Sequence, residues 1–411
     1  MNHLRRQTFD VIIVGAGPAG CSCALMLSGK GLKIAVIDKA VFPRDKICGD
    51  ALSPDVINQL QHMDVDLPES LLQAVPKTDV GGIRFVAPNL NHLDVHFTNP
   101  QHPTAAGYIT KRFDFDHFLF RQIKDLPDIS IFQGQQVQRL ENTENEVTVH
   151  TDKAALSARM LVGADGANSV VSRQLAGHTI DRDHYCAGVR QYFAGVDDLH
   201  PSDCIELHFY KELLPGYFWI FSLPDGQANV GIGMLSSEVS RQRINLKEKL
   251  TDIIQHHPNV KDRFRNAHPL ETVKGFGLPI GSRKVNCSGK GFLLVGDAAC
   301  LIDPFTGEGI GNAIRSGRIA ADHLLSAFEQ QSFDAAFHLG YDQEIYHRMW
   351  TELRVSRSMQ KLLKYPGIFN FLVNKASKNE SVRTLLTSML SNIDLRQELQ
   401  KPSFYTRLIF R

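Results

Sequence analysis

No run of residues in this sequence stays apolar for the roughly 18 to 20 positions that a bilayer-spanning helix requires, so a helical membrane protein is not expected. Charge of one sign is lacking too. The formal net charge is +1, which removes the basic surface that nucleic-acid phosphates demand. Cysteine is sparse: seven residues, an odd number, scattered at positions 21, 23, 48, 186, 204, 287 and 300. That suits a reduced cytoplasmic protein better than a disulfide framework. The opening MNHLRRQTFD leads straight into a strand-like run with no apolar signal segment, so no secretory signal is expected. Internal repeats and low-complexity linkers are also missing. What is present is bulk: 411 residues, 43% hydrophobic and 22% charged, enough to bury a large core in two or three lobes and too apolar for wholesale disorder.

The neutrality has an internal structure. Residues 351–411 hold eleven Lys/Arg against four Asp/Glu, or +7, leaving 34 against 40, or −6, for the rest. A basic tail on an acidic body is a different object from a uniformly neutral chain.

The segment 9–14 (FDVIIV) is apolar on both faces, as a buried parallel strand must be. A glycine turn follows, then a predicted helix over 18–28 and a second strand over 32–37, a β-α-β unit. Ser53 and Pro54 read as an N-cap and first helical residue. Runs at 83–86, 93–97 and 146–150 alternate as antiparallel strands, with helical periodicity over 113–126 between them. A short strand ends at 161–165. Four further strands are expected between 185 and 234, then one helix over 237–254, a buried strand over 291–295, and helix almost throughout from 307. The expected fold is therefore α/β with α+β elements: a Rossmann-like domain interrupted by a β-rich insertion, ending in helices. The boundaries expected are 1–78, 106–178 and 281–330 for the nucleotide domain, 79–105 and 179–280 for the β-rich domain, and 331–411 for the helical region.

GAGPAG sets glycines at 15, 17 and 20 between a strand and a helix. Gly15 permits the tight turn, Gly17 lets the backbone approach a pyrophosphate, and Gly20 allows close helix–strand packing. The helix N-terminus brings positive potential to the phosphates. Asp38 ends the second strand, 18 residues after Gly20, where a carboxylate accepts from a ribose. GADGANSVVSR (163–173) puts Asp165 and Gly166 at a second strand end. GDAACLIDPFTGEGIGNAIRSG (296–317) puts Gly296 and Asp297 at a third, followed by Pro304 and a glycine-rich helix start. Asp297 suits a ribityl hydroxyl, and the amides around Gly307, Gly309, Ile310, Gly311 and Asn312 suit the edge of a flavin where negative charge develops on reduction. The three motifs in this order point to FAD rather than NAD(P).

On these motifs the chain resembles the p-hydroxybenzoate-hydroxylase-like flavoproteins, and within them the geranylgeranyl reductase family. The blocks DKICGDALSP (45–54), LPGYFWIFSLPDGQANVGIGM (214–234), DPFTGEGIGNAIRSGRIAA (303–321) and KLLKYPGIFNFLVNKA (361–376) carry that resemblance over nearly the full length. It implies that Ala19, Lys39, Arg44, Arg112, Val137 and Asp165 lie along the FAD, and that the segment from Cys48 and Gly49 to Ala51 runs close to its ring. One departure stands out: Ser222 occupies the position where the family strand YxWxFP carries proline.

Period-2 alternation puts Tyr217, Trp219 and Phe221 on one face of GYFWIF and Phe218, Ile220 and Ser222 on the other. The first face either walls a substrate cavity for a long apolar molecule or fills a sheet core. Cys48 either acts as a proton donor, gates access or packs. No His/Cys/carboxylate grouping has metal-ligand spacing, and His92, His96, His102, His208, His256 and His257 read as surface residues.

The resemblance implies saturation of C=C bonds in a prenyl chain of a lipid, quinone or diphosphate, with hydride from reduced FAD and a proton from an acid such as Tyr217, Cys48 or a held water. No second GxGxxG unit is present, so the external reductant is expected to dock transiently, as NADPH or a reduced electron carrier. Two other readings share the motifs. A flavin monooxygenase or halogenase uses the same scaffold, although halogenases carry WxWxIP where Tyr217, Trp219, Phe221 and Ser222 stand here. A non-catalytic FAD-bound lipid carrier is the third. The basic tail, with Lys361, Lys364, Lys375, Lys378 and Arg383 among apolar residues, is expected either to cap the FAD domain or to rest peripherally on an anionic membrane.

Overall fold

The computed structural model describes residues 7–96, 107–199 and 204–380. Arg383 and His102 lie outside that set. Among the described residues the chain builds two eight-stranded sheets and a small three-stranded one. The core of the first sheet is parallel, in the order Phe292–Leu294, Ala155–Gly163, Gln7–Val14, Ile34–Asp38, Ile129–Gln133. Val11, Ile12, Ile13, Ile34, Ala35, Val36 and Ile37 are sealed on both faces, which is why these strands read as unbroken apolar runs. Val137–Asn142 and Val147–Thr151 extend this sheet antiparallel from Ala155–Gly163.

The second sheet is antiparallel for most of its width. Tyr185–Ala194, Gln227–Leu235, Tyr217–Leu223 and Ile205–His208 lie side by side, and Gly82–Val86 then joins Ile205–His208 in parallel. Its two faces bury different clusters. Trp219 and Phe221 pack on the side of Phe85, Leu207 and Phe305, whereas Phe218 and Ile220 pack against Leu250 and Ile253 of the helix Leu246–His256.

Two helices are pressed together beside the first sheet: Pro18–Leu27 after the glycine turn, and the long helix Ile310–Glu329. The turn itself demands glycine twice. Gly15 has φ +105°, and a Cβ there would stand 2.3 Å from the Ala164 carbonyl oxygen; at Gly20 it would stand 1.8 Å from the Gly15 oxygen. The helix Ala335–Leu362 is capped by the Asp334 carboxylate, which accepts from the Phe337 amide at 2.9 Å. It is anchored where the Tyr341 hydroxyl donates to the Leu294 carbonyl at 2.7 Å. The last helix among the described residues, Pro366–Lys378, then crosses towards the second sheet. Its Phe369 ring meets Phe209 edge-on at 4.8 Å, and Phe209 in turn meets Tyr217 at 5.6 Å.

Several local expectations change. The region 237–254 is two helices, Ser236–Gln242 and Leu246–His256, because Arg243 turns left-handed (φ +54°) and Asn245 starts the second by accepting from the Lys247 amide. Ser53 stands at the N-cap of Pro54–Met63, but its hydroxyl makes no cap hydrogen bond and is buried without a partner among the described residues. The strand expected at 161–165 is the nine-residue Ala155–Gly163. His208 is not a surface residue: only 1% exposed, it belongs to the second sheet, with its ring beside Phe218 and between Glu206 (3.2 Å) and Tyr210 (3.1 Å). All seven cysteines are free thiols.

Candidate functional site

A cavity of about 1300 Å³ runs from the glycine turn, along the ends of the parallel strands, to the aromatic face of the second sheet. Its position follows from the topology. The strand ends present their loops on one side, and the second sheet closes over them. Gly15, Gly17, Ala19, Asp38, Lys39, Arg44, Val137, Asp165 and Gly166 line one end. Cys48, Gly49, Ala51, Arg112, Gly296, Asp297, Pro304, Gly307, Gly309, Ile310 and Asn312 line the middle, and Tyr217, Trp219 and Phe221 line the far wall. Two expected residues are not on this surface. Gly20 faces the backbone of its own turn, and a Cβ at Gly311 would stand 2.5 Å from the Asp55 carboxylate, so both serve close packing.

The first end is organised by backbone donors. Asp38 accepts from the Ala16 amide at 2.8 Å on Oδ2 and from the Ala40 amide at 2.8 Å on Oδ1, which ties the second strand to the glycine turn. Each oxygen keeps a further lone pair for a hydroxyl donor. Asp165 is drawn over its own helix start, accepting from Val170 at 2.6 Å and from the Ser169 hydroxyl. Burial raises its carboxyl above the ordinary value, against those hydrogen bonds.

Beside it lies a cation pair around one carboxylate. Asp116, fully buried, accepts from Arg112 Nε at 2.6 Å and Nη2 at 2.8 Å, and from Arg44 Nη1 at 2.6 Å. Burial pushes the Asp116 carboxyl up, but the two guanidinium groups prevail and hold it below the usual range. Burial likewise works against the charge on Arg112, and Asp116 overrides it upwards. The Cys48 thiol lies beside this guanidinium.

The loop through Cys48 and Gly49 is held by Asp50, which sequence reasoning passed over. Asp50 is fully buried and has φ +69°. Its carboxylate accepts from the Tyr192 hydroxyl at 2.6 Å, the Asn229 amide at 2.8 Å and the Arg112 backbone at 3.2 Å. Burial pushes it up to about 6, the Tyr192 and Asn229 hydrogen bonds pulling the other way. Asn229 also donates to the Cys48 carbonyl and accepts from the Trp219 indole at 2.9 Å. One amide thus fixes both the loop and the cavity wall. Phe221 closes against Gly49, where a Cβ would stand 2.9 Å from its ring. Tyr217 donates its hydroxyl to the Thr306 carbonyl, and burial raises it above the ordinary phenol value.

Two further charged residues, Glu308 and Arg315, line the cavity at the start of the long helix. The i, i+4 spacing of Arg112 and Asp116 was readable in the sequence; the partners of Asp50 were not, since they come from three separate segments.

The arrangement fits a dinucleotide. First-turn amides of Pro18–Leu27 have no side-chain cap and open onto the cavity beside Gly17, and acidic acceptors, Asp38, Asp165 and Asp297, stand at three strand ends. Fold and site together define a dinucleotide-binding flavoprotein with an attached apolar chamber. A family model described as an FAD binding domain matches residues 8–355. A menaquinone reductase of Mycobacterium tuberculosis H37Rv is 30% identical over 324 residues, 77% of this chain and 76% of its own length. A digeranylgeranylglycerophospholipid reductase of Methanosarcina acetivorans is 30% identical over 360 residues, 84% and 81% of the two chains. A solved geranylgeranyl bacteriochlorophyll reductase-like protein of Thermoplasma acidophilum superposes with a TM-score of 0.80 at 24% identity, covering 96% of this chain and 99% of that one. The halogenase PltM superposes at 0.72 with 17% identity, over 95% and 85%, and shares the fold alone. The chain belongs to the FAD binding domain family, in its geranylgeranyl reductase branch. It is a flavin-dependent oxidoreductase.

Proposed function

We propose that this enzyme saturates C=C bonds in the polyprenyl chain of a lipid or quinone. The observation that carries the reading is the cavity's far chamber. Beyond the ring-binding middle it is walled by Trp219, Phe221, Ile83, Phe85, Leu207 and Phe305, an apolar surface suited to an isoprenoid chain. The relatives' names point to head groups as different as a quinone and a glycerophospholipid, so the prenyl chain is the shared element.

In this reading Gly15, Gly17 and the helix start Pro18–Leu27 hold the FAD pyrophosphate, Asp38 a ribose and Asp297 the ribityl chain. Arg44, Arg112 and Asp165 lie along the cofactor. The amides opening Ile310–Glu329 would hold the flavin edge. Reduced FAD supplies the hydride. The chain's own part is to hold the alkene against the ring, exclude water and provide a proton. Tyr217, its hydroxyl fixed on Thr306, and Cys48, beside Arg112, both line the cavity and are the candidates for that proton. The reductant that reloads the flavin, NADPH or a reduced carrier, docks without a nucleotide fold of its own. Mass spectrometry of prenyl lipids and quinones in cells with and without the protein tests the reading. Loss of a saturated prenyl species on deletion supports it, and an unchanged prenyl profile overturns it.

The substrate reaches the chamber from a membrane surface. Among the described residues no helix is long and apolar enough to cross a membrane. The helix Pro366–Lys378, however, leaves Ile368 and Phe371 exposed beside Tyr365 while its other side packs on the chamber cluster. Lys361, Lys364, Lys375 and Lys378 flank these rings, and residues 353–379 hold no acidic side chain. That combination suits an anionic lipid interface.

A further inference from the structure

The cavity contains a carboxyl group that the reading above leaves without a task. Glu308 sits two residues before the long helix Ile310–Glu329, between Gly307 and Gly309, and lines the cavity. Its Oε1 accepts from the Gly311 amide at 2.7 Å, which fixes the side chain at the helix start. Its Oε2 has no hydrogen-bond partner among the described residues, and no cation pairs with it.

Its neighbours are treated differently. Asp55, from Pro54–Met63, is paired with Arg315 at 2.7 Å and accepts from Gln59 at 3.0 Å. Asp303 accepts from the amides of Phe305 and Thr306 at 2.9 and 2.8 Å and from the Thr306 hydroxyl at 3.0 Å. Arg315, the cation whose charge acts on Glu308, is taken by Asp55 and, at 3.4 Å, by Glu352 of the helix Ala335–Leu362. Asp297 stands across Gly309, and the Tyr217 hydroxyl across Gly307. Glu308 therefore meets two committed carboxylates, a third nearby and a cation already engaged. Such a group ionises reluctantly and responds strongly to any further negative charge.

Resting on the proposed prenyl saturation, we propose that Glu308 is the proton carrier of this site: it binds one proton from solvent as the bound FAD takes up its electron pair, and releases it to the alkene. The balance closes in two halves. On reduction, two electrons and one proton enter the flavin and a second proton enters the Glu308 carboxylate. On turnover, the hydride forms a C–H bond at one alkene carbon, the Glu308 O–H bond breaks, and its proton forms the second C–H bond. The flavin is left oxidised and Glu308 ionised. Burial first, and then Asp55 and Asp303, push the Glu308 carboxyl up to about 7, with the Gly311 amide and Arg315 opposing. Ionised above that pH and neutral below it, the group has a proton to gain near neutrality when negative charge appears beside it.

The test uses the FAD-loaded protein and no prenyl substrate. The midpoint potential of the bound flavin is titrated against pH in wild type and in Glu308→Gln. Above pH 7 the wild type should show one additional proton per two electrons, a further tenfold change in the reduction constant per pH unit, about 30 mV. Glu308→Gln should lack that increment. Reduction-induced infrared difference spectra of the wild type report the same event without a substitution: one carboxylate lost and one carboxylic acid gained per flavin. Identical pH slopes in the two proteins, or no carboxyl signal, overturn the proposal. Because neither measurement involves an alkene, they stand apart from the proposed activity: a positive slope difference with no prenyl product would defeat the function and the delivery step, and leave only the redox-linked proton uptake at Glu308.

Discussion

Asp50 and Asp116 are buried to the same degree and behave in opposite ways, and the difference is the company each keeps. Two guanidinium groups surround Asp116, whereas Asp50 is held by a phenol, an amide and a backbone donor. Removing the Asp116 charge strands Arg112 in the interior. Asp116→Asn should therefore destabilise the protein by about 3 to 5 kcal/mol and loosen FAD, read as a lower unfolding midpoint and loss of flavin on gel filtration. For Asp50 the folded value, about 6, lies above the ordinary carboxyl value of 3.8. The folded state thus holds more protons between those values than the unfolded one. The stability this group contributes is present below 3.8 and is lost as pH rises through about 6. Denaturant titrations across that window should show Asp50→Asn with a flatter pH dependence than wild type, by up to about 1.4 kcal/mol per pH unit. Identical slopes would mean that Asp50 does not titrate there.

Whole elements were legible where their pattern is set by local chemistry. The glycine turn, the strand ends at Asp38, Asp165 and Asp297, and the alternation of Tyr217, Trp219 and Phe221 all follow from backbone constraints or a period of two. Misreadings arose where tertiary contacts overrule the pattern. ALSAR looks too polar for a strand, yet Ser157 is fully buried, because the segment is paired on both edges by Gln7–Val14 and Val147–Thr151. His208 is polar by type and buried because Glu206 and Tyr210 satisfy it. Asn245 and Glu248 did carry a readable helix start, with the Asn245 amide donating to Glu248 at 2.7 Å. At this scale the helix Pro366–Lys378 makes its own prediction. Replacing Ile368 and Phe371 by serine removes exposed apolar surface and leaves the inward side, Leu372 and Val373, untouched. Co-sedimentation with phosphatidylglycerol-containing vesicles should fall severalfold, with the unfolding midpoint unchanged. Equal sedimentation would discard the membrane contact.

The +1 of the whole molecule is a sum of unlike parts, −6 for the body and +7 for residues 351–411. The acidic body contains the flavin cleft, and the described part of the basic stretch covers the apolar chamber. A water-filled site would not need such a chamber, and a hydroxylating or halogenating flavoprotein would need oxygen where a reductase needs only electrons and a proton. That contrast gives the most direct measurement. Enzyme reduced with dithionite and freed of oxygen is mixed with a geranylgeranyl lipid, the flavin spectrum is followed, and the product mass is determined. The expected result is reoxidation of the flavin by the alkene alone, with a product heavier by two hydrogens per turnover. A flavin that stays reduced until air is admitted, or a product that has gained oxygen, would contradict the assignment.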